Sequence, residues 1–380
     1  MNYKINFIRN SYIRFAADHK KELIKAFWNC VSKGNLILRE DVIEFQNNLA
    51  KYTNTKYSIG VNSGTDALFL SCKALGIGIG DEVITVAHTF IASIQCIIHC
   101  GATPILIDVG KDELMNVTQI ESAITPRTKA ILPVHFHGKV CNMDVIMSLA
   151  RKYNLYVIED ACQALGSSYK GKMAGSFGDT GCFSFNTPKL MGGWGDGGGI
   201  VTNNKKLASH LYLLRNHWNM AQTSVRMLDF PTPEIVHWAW KSRLDNIQAA
   251  LLNVKWKYFD GLLKRRKKIA NMYCRGMKNL PIKLPSYTDG DVIQEFIIRI
   301  GNEKTRKEFK EFMDSKGIEL LIRETTPNHK VKLLGLDHFN LPITESISLD
   351  AVRLPSYPEL FDSEVEEIIK SVQEFFNDKK

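Results

Sequence analysis

Between positions 57 and 202 the chain alternates short, β-rich, largely apolar runs with stretches whose apolar residues recur every three to four positions. The runs fall at 57–61, 82–86, 103–108, 128–133, 156–159, 181–184 and 198–202. Strands separated by helices predict a mostly parallel sheet covered on both faces, and in such sheets ligands collect beyond the carboxyl ends of the strands. Ahead of this block, residues 18–52 read as helical, with Leu23, Ile24, Phe27 and Val31 on one stripe and Val42, Phe45 and Leu49 on the next. Behind it, helix returns after Asn203, through a stretch containing Pro231 and Pro233, and continues in a long amphipathic segment over 243–278. The rest predicts a strand at 294–300, a helix near 305–316 and a last helix at 363–376. The expected class is α/β, with a large unit over 1–250 and a smaller α+β unit over 251–380.

Composition narrows the classes. At about 150 residues per domain, 380 residues make two or three units. The 44% hydrophobic and 23% charged content excludes a disordered or fibrous chain. No apolar run approaches the ~18 residues of a membrane span and the first ten residues hold no secretory core, so the expectation is a cytoplasmic protein without membrane association. Eight cysteines without a two-residue-spaced pair read as reduced thiols. A net charge of +9 suits an anionic ligand. The basic run at 264–268 lacks interleaved aromatics and reads as a solvated helix face, with no nucleic acid expected. His135 and His137 alternate, but a zinc pair at that spacing needs further ligands, so no metal is expected and a strand-end histidine lining a pocket is the better reading. Trp238, Trp240 and Trp256 could line a sugar site or pack in a core.

Three polar segments follow apolar runs. Ser63-Gly64-Thr65-Asp66 opens a helical stretch, where small residues let backbone N–H groups meet a phosphate; it could equally be an ordinary helix cap. Glu159-Asp160-Ala161-Cys162-Gln163 leaves a buried strand, and a carboxylate there needs a cation or serves as a cap. Lys189 precedes the glycine-rich turn 192–199, suiting a lysine that reacts with a carbonyl; as an isolated residue it would be a surface charge.

Taken in this order, the phosphate turn, the strand-end aspartate with glutamine three later, and the lysine ahead of Gly195-Asp196-Gly197-Gly198 resemble the DegT/DnrJ/EryC1 family of sugar aminotransferases, which belong to the aspartate-aminotransferase fold group and use pyridoxal 5'-phosphate. The resemblance implies a three-layer α/β/α large domain. It also implies that Lys189 holds the cofactor covalently and moves the substrate proton, and that Asp160 pairs with the ring nitrogen. Gln163 would bond the ring hydroxyl, Gly64, Thr65 and Ser184 the phosphate, and Phe90 would stack on the ring. Ahead of the signature 242–250, relatives place an asparagine that reaches the phosphate of a second copy across a homodimer; this chain has Lys241, which can donate in its place.

Two further departures bear on the substrate. Many relatives have His-Tyr after a Gly-Ile strand start, whereas here Gly317-Ile318 leads to the segment 321–329, and relatives often have Gly-Pro where this chain has Arg39-Glu40. Arg323, with His329 nearby, could grip an anionic group, or Arg323 could pair with Glu324 at the surface. The expected activity is transfer of an amino group, by resemblance from L-glutamate, to a keto or aldehydo sugar, a nucleotide-linked keto-deoxyhexose for surface polysaccharide. The Arg243-Leu244-Asp245 form of the signature leans toward amination at C3. The alternatives are an acidic sugar without a nucleotide, of ulosonic-acid type for lipopolysaccharide, and a cofactor-binding sensor that does not turn over.

Overall fold

The computed structural model describes residues 3–218, 238–323 and 325–377. The chain opens with helices α1 (Arg9–Asp18), α2 (Lys20–Ser32) and α3 (Glu40–Thr53). The alternating block follows: β1 (Tyr57–Val61), α4 (Gly64–Ala74), β2 (Glu82–Val86), α5 (Ala92–His99), β3 (Thr103–Ile107), α6 (Ile120–Ala123), β4 (Thr128–Ile131), α7 (Met143–Tyr153) and β5 (Tyr156–Asp160). Next come two short strands, β6 (Ser168–Tyr169) and β7 (Lys172–Met173), then β8 (Thr180–Ser184), β9 (Gly198–Thr202) and α8 (Lys205–Leu214). The final part holds α9 (Asn246–Trp256), α10 (Phe259–Gly276), β10 (Phe296–Arg299), α11 (Glu303–Ser315), α12 (Pro342–Asp350), β11 (Ala351–Leu354) and α13 (Asp362–Asn377).

Seven strands form one sheet in the order β1-β9-β8-β5-β4-β2-β3. Neighbours from β8 to β3 pair in parallel, and β9 runs against both β8 and β1. The mostly parallel sheet is therefore as predicted. All five residues of β2 are buried, as expected of a strand covered on both faces. Because β1, β2, β4, β5 and β8 point the same way, the segments after them open along one edge.

The expected helical stretch at 18–52 is two helices, parted near Gly34 and Leu38, both at positive φ. The α2 stripe behaves differently from a core stripe: Leu23 is buried, while Ile24, Phe27, Trp28 and Val31 face outward. The single segment expected at 243–278 is also two helices, parted at residues 257 and 258, which contact α2: Lys257 pairs with Glu22 at 2.9 Å and the Tyr258 hydroxyl donates to the same carboxylate. The prolines at 231 and 233 lie outside the described residues.

Two large apolar clusters, with two smaller ones beside them, organise the interior among the described residues. The first runs from Leu38 past position 250 to Phe259 and takes in Val292, Ile297, Ile347 and Ala351. The second joins Ile269 and Tyr273 of α10, and Met277 just after it, to β10, β11, α11 and α13. Ile5 belongs to the second: its N–H donates to Gly317 O and its carbonyl accepts from Glu319 N. The first residues thus pack with the last hundred, which sequence pattern did not indicate. All eight cysteines are free thiols. Among the described residues no helix is long and apolar enough to cross a membrane.

Candidate active site

Strand alternation divides the two acids that end β5. Successive side chains of a strand point to opposite faces, so Glu159 and Asp160 part company. Glu159 turns into the interior, where it accepts from the N–H groups of Gly175 (2.8 Å), Phe177 (2.6 Å) and Gly178 (2.7 Å) and lies 2.9 Å from His135 Nε2. The Cys141 N–H donates to His135 Nδ1 at 3.3 Å, which puts the ring proton on Nε2. Asp160 faces the sheet edge instead. Its Oδ2 accepts from Ser93 Oγ at 2.6 Å and its Oδ1 from Cys162 N at 3.2 Å.

Above that edge lies a cleft of about 590 Å³, lined by Gly64, Thr65, Phe90, Asp160, Gln163, Ser184, Lys189 and Arg323 among others. On one side α4 begins. Ser63 caps it, accepting from Asp66 N at 3.1 Å, and Ser63, Gly64 and Thr65 line the cleft, which puts the start of the helix, where N–H groups lack intrahelical partners, beside it. Gly64 is required there: a Cβ would come within 2.7 Å of Ser184 Cβ and 2.9 Å of Cys162 Sγ. Phe90 is 57% exposed at the opening, and Gln163 Oε1 accepts from His137 N at 3.0 Å.

Lys189 sits in a turn braced from distant segments. Gln294 donates to Pro188 O (2.8 Å) and accepts from Leu190 N (3.0 Å), and the Tyr12 hydroxyl donates to Thr187 O. Arg323 lies on another wall, half-exposed, its Nη1 4.0 Å from Glu295 Oε1. Burial works against the charge on Glu295, but Arg353 at 2.7 Å and His137 at 3.4 Å outweigh it and hold the carboxyl well below the usual range. The alternative partner of Arg323, Glu324, lies outside the described residues.

Two expected site residues are elsewhere. His329 is buried with its Nε2 3.1 Å from Glu345 and does not line the cleft, which corrects the expectation that it meets substrate. The short helical turn 328–330 points its neighbour there instead: Asn328 lines the cleft and donates to Ala87 O and Thr89 O. Lys241 is exposed, bridges to Asn216, and is outside the cleft of its own chain. His135 lines the cleft, whereas His137 joins His88 and Glu113, their ligand atoms within 4.8 Å of one another. Burial first, then His137, Arg353 and Arg299, hold His88 below the usual histidine range. Arg299, 3.3 Å from Glu113, already partners that carboxylate.

Trp256 packs on Phe45 and Tyr52, Trp240 packs on Phe69, and Trp238 is 96% exposed. In the basic run, Arg265, Lys267 and Lys268 pair with Asp362 and Asp289, but Arg266 is buried and donates to three backbone carbonyls. Ser93, Asn186 and Asn328 are cleft-side residues that sequence reading passed over.

Residues 17–373 match the sequence model of the DegT/DnrJ/EryC1/StrS aminotransferase family. The dTDP-3-amino-3,6-dideoxy-alpha-D-galactopyranose transaminase of Aneurinibacillus thermoaerophilus is 39% identical over 361 residues, 94% of this chain and 96% of that one. The crystal structure of S. venezuelae DesV in complex with a ketimine intermediate superposes with a TM-score of 0.89 at 32% identity, covering 98% of both chains. A Bacillus subtilis protein solved with bound cofactor PMP gives a TM-score of 0.86 at 27% identity, over 95% of this chain and 82% of that one.

Proposed function

Because the chain belongs to the DegT/DnrJ/EryC1/StrS aminotransferase family, we propose that it moves an amino group from an amino acid, L-glutamate, to C3 of a nucleotide-linked keto-deoxyhexose destined for surface polysaccharide. The observation that carries this reading is the convergence of Lys189, Asp160 and the start of α4 on one cleft of about 590 Å³. That volume suits a cofactor together with a sugar.

The donor set fits pyridoxal 5'-phosphate. The phosphate would lie at the first turn of α4 beside Gly64, Thr65 and Ser184, where absence of a Cβ at 64 keeps the cradle open. The Asp160 carboxylate, fixed by Ser93 and Cys162, offers an anion to a cationic ring nitrogen, and Gln163 and Phe90 would hold the ring hydroxyl and face. Bound there, the cofactor supplies an electron sink for the substrate carbon and carries the amino group between two half-reactions. Lys189 Nζ would supply the amine that holds the cofactor and the base that takes a proton from the substrate carbon and returns it. The braced turn holds the backbone on both sides of Lys189, which would limit the reorganisation needed at the moment of transfer.

Arg323 would bind an anionic group of a substrate, and its place in the cleft favours an acidic sugar as the second reading. A second copy of the chain would complete the site, with Lys241 reaching that copy's phosphate; the outward Ile24, Phe27, Trp28, Val31, Leu36 and Ile37 support such an association. Free thiols agree with a reducing, cytoplasmic setting.

The test is 2-oxoglutarate release from glutamate with either a dTDP-linked 3-keto-6-deoxyhexose or an acidic keto sugar. Release with the first and none from Lys189→Ala is expected. Release only with the acidic sugar transfers the assignment to it, and a bound cofactor whose absorbance ignores every donor refutes an enzyme in favour of a sensor.

A further inference from the structure

Behind the turn that carries Lys189 lies a second lysine that the chemistry above does not use. Lys255, on α9, is 5% exposed, and its Nζ donates to Gly192 O at 2.8 Å. Three rings enclose it: Tyr12 at 4.9 Å and Phe15 at 5.3 Å from α1, and Trp194 at 5.7 Å from the glycine-rich turn. Among the described residues no carboxylate lies within ion-pair distance of this nitrogen; Glu359 and Arg266 are the nearby charges, and Tyr12 the nearby titratable hydroxyl. A buried ammonium is costly when unpaired, so its few contacts are what hold it.

Those contacts lead to Lys189 through one residue. The Gly192 N–H donates to Lys189 O at 2.9 Å while the Gly192 carbonyl accepts from Lys255. Gly192 has no room for a side chain, since a Cβ there would run into Thr187 O and the Tyr12 hydroxyl. Further along, Gln248 accepts from Trp194 N (3.2 Å) and donates to Trp194 O (3.1 Å), which fixes one wall of the ring cage.

We propose that Lys255 is a positioning residue for Lys189: its caged ammonium fixes the Gly192 carbonyl and so aims the cofactor-holding amine into the cleft. Helix α1, which contributes nothing to the sheet, is then part of the active-site frame through Tyr12 and Phe15. Burial also lowers Lys255 to about 8, with Glu359 opposing and Arg266 adding to the effect. The proposal rests on the reading of Lys189 as the cofactor lysine.

Lys255→Met keeps the length of the side chain and removes both donor and charge; Phe15→Leu leaves Lys255 and opens the cage. In the cofactor-loaded protein, Lys255→Met should bind cofactor in full stoichiometry and keep the donor KM within about twofold, while the single-turnover rate with glutamate falls about 10- to 100-fold, the scale of a misplaced reacting group. The pH midpoint of the bound cofactor's absorbance should move with it. In the cofactor-free protein, hydrogen exchange at residues 187–193 should speed up. Phe15→Leu should show the same changes, smaller, and decides the matter if Lys255→Met does not fold. Unchanged rate, absorbance midpoint and exchange in a folded variant overturn the proposal. Borohydride labelling of the wild-type chain separates the two readings: label on Lys189 with wild-type-like variants refutes this inference alone, whereas no label on Lys189 removes its premise.

Discussion

Gly64→Ala is the smallest change that bears on the phosphate cradle. The added Cβ would lie 2.7 Å from Ser184 Cβ, 2.9 Å from Cys162 Sγ and 3.2 Å from Ser184 Oγ. Ordinary carbon contact begins near about 3.5 Å, so roughly 0.8 Å must be found. Ser184 Cβ is fixed to the end of β8 and no rotamer removes it; relief has to come from moving that strand end or the first turn of α4, the two walls assigned to the phosphate. Overpacking of this kind costs about 1–3 kcal/mol. If most of it falls on the bound state, cofactor affinity drops about 10- to 100-fold, at about 1.4 kcal/mol per decade. Equilibrium titration of the cofactor-free variant, followed by absorbance, measures this. Gly261→Ala is the control, because a Cβ at that position meets nothing within 4 Å. A Gly64→Ala affinity within about twofold of wild type would refute the cradle, since the clash is larger than the ~0.4 kcal/mol that twofold represents.

Glu159→Gln replaces one acceptor oxygen with a donor and leaves buried backbone N–H groups of Gly175, Phe177 or Gly178 facing it; at about 1–3 kcal/mol for each unsatisfied group, stability should fall by about 2–6 kcal/mol in urea titration, and a loss below about 1 would contradict the assigned hub. Arg323→Ala should raise KM for the anionic substrate about 10- to 100-fold, the value of a hydrogen bond to charge, and an unchanged KM places that anion elsewhere. Lys255 has a folded pKa of about 8, below the about 10.4 of an unfolded lysine. The unfolded chain therefore binds more protons between these values, so the burial penalty is full below pH 8 and is relieved as pH rises toward about 10. The stability difference between wild type and Lys255→Met should change across that window, and a flat difference would show the group is not buried as a cation.

The sheet was legible because its strands are mostly buried on both faces and appear as short, β-rich, largely apolar runs: β1, β2 and β9 fall on the expected residues to the end. Helix α1 was not, since only Ser11 and Phe15 of its ten residues are buried and no stripe marks it. Of the cleft, the segments holding Gly64, Thr65, Asp160 and Lys189 stood out because they come at or after the ends of apolar runs, where the fold gathers its chemistry, whereas Phe90, Gln163 and Ser184 were reached through the family resemblance. What holds them was hidden by distance along the chain. Ser93 lies 67 positions from Asp160, Gln294 106 from Pro188 and Tyr12 175 from Thr187, and no local pattern joins such pairs. His329 failed for a local reason, because a short helical turn sends consecutive side chains in different directions and gives the cleft to Asn328.

The most direct measurement is borohydride reduction of the cofactor-loaded protein followed by proteolysis and peptide mass mapping. A pyridoxyl group on Lys189 and on no other amine is the predicted result. A label on Lys241, Lys255 or any other lysine, or no label on a protein that binds the cofactor, would contradict it.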